Sequence, residues 1–139
     1  MGFLGVQDRE RVRAAALARI REGRWAGGQL AYGYKSVDSG IISRDGRNLK
    51  RPVIDKDVGP KIKIIWELAA ENKSARTIGR ELERRGVKSP TGNSWRVQSI
   101  LNILRNPFYC GDVRGSGEIH KGKHEALIDR ALWSKANKV

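Results

Sequence analysis

Residues 6–22 run without Gly or Pro through Ala, Arg, Glu and Leu, a composition that predicts a helix. Its apolar positions, Val12, Ala15, Ala16 and Ile20 with Arg19 between, make a thin, Ala-heavy stripe. Such a helix buries little on its own and is expected to connect elements or pack on a partner. Gly23 fits its C-terminal stop. Residues 24–29 (Arg-Trp-Ala-Gly-Gly-Gln) have no periodicity and predict an extended basic arm. Ala31 to Lys35 and Arg51 to Asp55 read as two short strands, with turn signals at Asp38-Ser39-Gly40 and Asp45-Gly46 between them.

Helical periodicity then appears three times. Over 57–71, Val58, Ile62, Ile65, Trp66 and Ala69 share a face, Asp57 is placed to cap, and Pro60 falls in the first turn. Over 74–85, Ser74 is placed to cap, Ala75, Ile78, Gly79 and Leu82 face inward, and Gly86 closes the helix. The third helix is expected from Ser94 to just before Pro107, with Val97, Ile100, Leu101 and Leu104 as its apolar stripe. The gap between the last two helices is longer than a tight helix-turn-helix turn. Beyond it, 108–113 reads as a strand, residues 115–117 as a Gly-containing turn, 118–120 as the return strand, and 129–138 as a short helix with Leu132 and Trp133 apolar. These elements predict an α+β domain, mostly helical, with a helix-turn-helix-like three-helix core and small β-hairpins, preceded by a linker helix.

Charge narrows the function. Over 139 residues, 28 Lys and Arg face 15 Asp and Glu, a net charge of +13 with a pI near 10.5. Such a chain is drawn to phosphate-rich partners, since each neutralised phosphate releases counterion. No apolar run has the length of a membrane span, and the basic residues are spread rather than clustered beside one, so no membrane partner is expected. A lone Cys110, with no apolar leader after Met1, points to a cytoplasmic setting without disulfides.

The third helix carries the candidate chemistry. With its apolar stripe on the core, Gln98, Ser99 and Asn102 fall on the opposite face, flanked by Arg96 and Arg105. Amides pair bidentately with adenine and guanidinium groups with guanine in the major groove. Lys88, Thr91 and Asn93 precede this helix, where free backbone N–H groups favour phosphate, and Ser94 opens the stretch to Arg105 that is expected in the major groove. Arg24 and Gln29 mark the arm as a candidate for the minor groove or the backbone. Trp25, Tyr32 and Tyr34 fit a hairpin core better than base stacking, and Trp66, Trp95 and Trp133 fit the core. His120 and His124, near Glu125, lack the further ligands a zinc site needs, so no metal and no cofactor is expected. No acid–base pair or phosphate loop stands out, and Cys110 reads as a small core residue.

The order of short motifs is more specific than any one of them. Glu10-Arg11-Val12-Arg13, Gly23-Arg24-Trp25, Gly27-Gly28, Tyr32-Gly33-Tyr34, Ser74-Ala75-Arg76-Thr77-Ile78, Glu81-Leu82 and Gly86-Val87 follow one another. Then come Thr91-Gly92-Asn93-Ser94-Trp95, Ile103-Leu104-Arg105-Asn106-Pro107 and Tyr109-Cys110-Gly111. Together, from about Arg9 to Trp133, they resemble the recombinase domain of large serine recombinases, the phage integrases and transposon resolvases of that group. Gln29-Leu30-Ala31 departs from the Pro often found before Tyr-Gly-Tyr there.

The resemblance implies a DNA-binding middle piece of a larger cutting enzyme. The family's Tyr-x-Arg-x-Ser catalytic signature and zinc-ribbon Cys pairs are absent from this sequence. Residues 1–23 would then be the end of the linker helix from a catalytic domain, 24–30 the arm, and 31–139 the DNA-binding domain. Its partner would be duplex DNA at an attachment half-site, with a parent protein acting as a dimer or tetramer and the fragment a monomer. A basic module for structured RNA, such as a ribosome-associated protein, is the alternative that composition leaves open.

Overall fold

The computed structural model describes residues 2–25, 29–42, 44, 46–115 and 117–139, with the side chains of 2–8 excluded. Helix α1 (Gly2–Arg21) leads into hairpin β1 (Tyr34–Ile42) and β2 (Asn48–Ile54). Then follow α2 (Gly59–Ile62), α3 (Ile64–Ala70), α4 (Ala75–Arg84), α5 (Val97–Arg105) and a 3-10 turn, Pro107–Cys110. Hairpin β3 (Asp112–Gly115) and β4 (Glu118–Lys121) precede the last helix, α6 (Arg130–Asn137). Both hairpins are antiparallel and form separate two-stranded sheets. The class is α+β, as the sequence predicts.

Helices α3, α4 and α5 pack on one another, and α6 closes the group by packing along α3 and onto the end of α5. Ile62, Ile65, Trp66, Ile78, Leu82 and Ile100 are fully buried at their junction. The tryptophans are structural. Trp66 Nε1 donates to the Leu104 carbonyl at 3.2 Å, and Trp133 Nε1 to that of Asn106 at 3.2 Å. Tyr34 belongs to this core too, its ring against Phe108 and its hydroxyl donating to the Glu125 carbonyl at 2.6 Å. Cys110 is buried, its thiol 3.2 Å from the Pro107 carbonyl, as a small core residue.

Helix α1 ends as the sequence predicts. Gly23 takes φ +78, with Gly23 N donating to Ile20 O and Arg24 N to Arg19 O. Val12 is 68% exposed on this helix, whereas Ile20 is buried and packs on Gly115. The helix end is docked on the second hairpin. Arg21 embraces Glu118 through Nε (3.0 Å) and Nη2 (2.7 Å), and Lys123 N donates to Gly23 O.

Several elements depart from expectation, each for a local reason. The first hairpin is longer than predicted. Asp38 and Gly40 lie inside β1, where a Lys50–Asp38 ion pair of 2.5 Å bridges the strands. The register slips between Asp38 and Ile42, where Gly40 takes φ +81. Ala31 and Tyr32 lie before β1 rather than in it, and Asp45 is outside the described residues. Asp57 does not cap a helix. Asp55 Oδ1 accepts from Asp57 N at 2.9 Å, and the expected single helix starts at Gly59 and breaks at Lys63. The stretch after Pro107 is not a strand until Asp112. Asn106 Oδ1 accepts from Phe108 N and winds residues 107–110 into a buried 3-10 turn that Gly111 (φ +100) ends.

Candidate nucleic-acid interface

Helix α4 is set as predicted, the Ser74 hydroxyl accepting from Thr77 N and Gly86 (φ +72) ending the helix. Gly79 lets α5 approach, because a Cβ there would stand 3.0 Å from Ile100 Cδ1. Residues 86–96 then wrap back on α4. Trp95 is buried, its N–H donating to Glu83 Oε1 (3.0 Å) and its indole to the Val87 carbonyl (2.8 Å). Buried Ser89 donates to the Asn93 carbonyl at 2.6 Å. These bonds tie Trp95 to α4, and Arg96 is extended (φ −98, ψ 147), so α5 starts at Val97 and not at Ser94.

The same anchoring turns α5 relative to the predicted face. Ile100 and Ile103 are its buried residues, with Leu104 packed partly against the core. Val97 is 46% exposed and Leu101 half-buried, so neither lies on the buried stripe assigned from the pattern. The open face carries Gln98 and Asn102 as predicted, together with Arg105, which was expected at its flank, and Gln98 Nε2 donates to Asn102 Oδ1 at 2.9 Å. Ser99 is half-buried at the flank, a correction to its place beside Gln98. Lys88, Thr91, Asn93, Ser94 and Arg96 are all exposed on the loop that enters α5.

Two residues that the pattern did not single out join this face. Arg76 and Arg80, one helical turn apart on α4, line a groove with Trp95, Val97 and Ile100. Neither makes an ion pair among the described residues, and both are exposed. The other arginines of that helix end are engaged. Arg84 and Arg85 hydrogen-bond Glu81 and hold its carboxyl far below the usual range, at about 2. The i, i+4 spacing of Arg76 and Arg80 after a Ser cap was the available signal.

The arm is only partly described, since residues 26–28 fall outside the described set. Arg24 and Trp25 line a cleft of ≈ 430 Å³ with residues 50–53 of β2 and 123–125, and Arg24 is 3.4 Å from Glu22. Gln29 is exposed. The chain is then tied to the loop before α5, where the Tyr32 hydroxyl donates to the Lys88 carbonyl and its ring meets Trp95 edge-on at 5.9 Å. Burial, then Asp55, raises the Tyr32 hydroxyl above its ordinary pKa.

The two histidines are engaged within the protein. His120 Nε2 lies 2.9 Å from Glu118 Oε1, while His124 stacks on Phe108 and its Nε2 donates to the Phe108 carbonyl at 2.6 Å. No helix among the described residues is long and apolar enough to cross a membrane.

Known proteins share sequence or fold with this chain. A protein from Bacillus phage phi105, described as an uncharacterized immunity region protein 5, is 32% identical over 66 residues. That match covers 48% of this chain and 50% of the phage protein. Two solved structures share the fold, each with a TM-score of 0.71, 19% identity and 92% of this chain covered. One is described as an LSR–DNA complex and the other concerns the sequence requirements of the Listeria innocua prophage attP site. This chain spans 36% and 50% of those chains, so it corresponds to half or less of the proteins it matches. The family model described as Recombinase matches residues 56–139, from α2 through α6, and the chain belongs to that family.

Proposed function

We propose that this chain binds duplex DNA sequence-specifically at one part of a recombination attachment half-site, as the DNA-binding piece of a site-specific serine recombinase. The observation that carries the reading is the open face of α5. Gln98, Asn102 and Arg105 stand exposed on a short, anchored helix. Around them Arg76, Arg80, Arg96 and Lys88 carry no ion pair among the described residues. Base-reading groups in the middle and phosphate-reading groups at the margin are the division of labour that duplex recognition needs. A net charge of +13 supplies the non-specific attraction. The related fold in an LSR–DNA complex supports the assignment.

In this reading α1 is the far end of a linker from a catalytic domain, 24–30 is an arm along the minor groove or backbone, and 31–139 is the binding domain. Thr91 and Asn93, beside Lys88, meet phosphate at the entry to α5, Ser94 to Arg105 lie in the major groove, and Arg24 and Gln29 follow the arm. Strand cleavage is assigned to no residue of this chain. The parent protein acts as a dimer or tetramer on DNA, and this piece binds as a monomer. Competition between a duplex and a structured RNA of equal length tests the reading. Retention of the duplex is expected, and preference for the RNA would overturn it.

A further inference from the structure

The open face of α5 carries two rows, not one. Gln98 and Asn102 form an amide row linked by their 2.9 Å hydrogen bond. Val97 and Leu101 form an apolar row beside it, also one turn apart, with Arg105 between the rows at the next turn. Val97 is 46% exposed, and its β-branched side chain is no favourite of a solvated helix. The two rows match what an A·T pair displays in the major groove. Adenine offers an acceptor and a donor for an amide, and thymine adds a 5-methyl group that only an apolar surface recognises. Charge says which occupant to expect. Arg76 and Arg80 border the groove that Val97 lines, and its one carboxylate, Glu83, is held by the Trp95 N–H.

We infer that Val97 and Leu101 form a ledge that reads the 5-methyl group of thymine, so that α5 prefers a step containing A·T. The inference rests on the DNA-binding reading above and adds to it a base and an atom. The test begins with a duplex selected from a random pool by the full chain. Each thymine is replaced singly by deoxyuridine, which removes only the methyl, and Kd is measured at fixed salt for the wild type, Val97→Ala and Leu101→Ala.

At one or two thymines the wild type is expected to lose about fourfold in affinity, the transfer value of one methyl group. At those positions Val97→Ala or Leu101→Ala should show no uracil penalty, the coupling that marks direct contact. The variants should keep the wild-type salt slope and helical circular dichroism. Equal affinity for thymine and uracil throughout would overturn the ledge. So would an unchanged uracil penalty in both variants, or a selected site without thymine. Failure of every duplex to bind would instead overturn the DNA reading beneath it, and the ledge with it.

Discussion

The indole N–H of Trp95 donates to the carbonyl of Val87 across 2.8 Å, closing the loop that delivers the chain into α5. Trp95 is only 8% exposed, so truncation leaves both a cavity and an unmet buried carbonyl. Trp95→Phe should cost about 1–3 kcal/mol in urea unfolding, chiefly the carbonyl. Trp95→Ala should cost about 3–5 kcal/mol. Because the loop sets where α5 starts, Trp95→Phe is also expected to weaken specific duplex binding more than non-specific binding, measurable by titration at two salt concentrations.

Glu118 titrates far below a free carboxylate, at about 2, because Arg21 and then His120 hydrogen-bond its charged form. A folded pKa below the unfolded one means that this group's stabilisation is complete above the unfolded value, near 4.3, and is lost as pH falls toward about 2. In Arg21→Gln the midpoint should move back toward the ordinary range, read from side-chain carboxyl shifts by NMR. The same variant should lower hydrogen-exchange protection in the last turn of α1, which Arg21 ties to the second hairpin.

His124 is shifted in the same direction by a different cause. Burial is the leading cause that lowers its pKa, its ring stacked on Phe108 at 3.7 Å with the planes 7° apart. The unfolded chain therefore takes up this proton first. Stability is fully present above about pH 6.5 and falls as pH drops through that value. Unfolding free energies between pH 7.5 and 5 should show the decline, and His124→Gln should flatten it.

Gly33 adopts φ +97, and a Cβ there would stand 2.8 Å from Ile62 Cδ1 in the core. Gly33→Ala meets backbone strain and a clash together, and should lower stability by at least about 1–2 kcal/mol in denaturant titration. Gly46 (φ +84), with open space around it, is the control: its alanine variant meets the backbone strain alone and should cost less.

Where a local signal also fixed the tertiary environment, the sequence was easy to read. Ser74 and Gly86 delimit α4 almost to the residue because capping and the left-handed stop depend on neighbours alone. The same local logic identified Gly23 at the end of α1. It failed where distant groups decide. Glu83 and Val87 tie Trp95 outside the helix, so that α5 starts late and buries Ile100 and Ile103 rather than Val97 and Leu101. Asp55, not Asp57, caps the turn before α2, and Asn106 winds a predicted strand into a 3-10 turn. On the open face of α5, Gln98, Asn102 and Arg105 were legible from periodicity. Arg76 and Arg80 were passed over although their i, i+4 spacing, and that of Glu81 with Arg84 and Arg85, stand in the sequence, because the groove they share with Val97 is made only by the packing of α4 on α5.

Asn102→Ala tests the account most directly, with affinities measured across a library of duplex sites for the variant and the wild type. The amide of Asn102 is exposed at the centre of the open face, so its loss should cost about 1–3 kcal/mol on the preferred site and relax base preference at one position. Lys88→Ala is the contrast, and should weaken all sequences alike and reduce the salt slope by about one. Unchanged relative affinities in Asn102→Ala would contradict the claim that α5 reads bases.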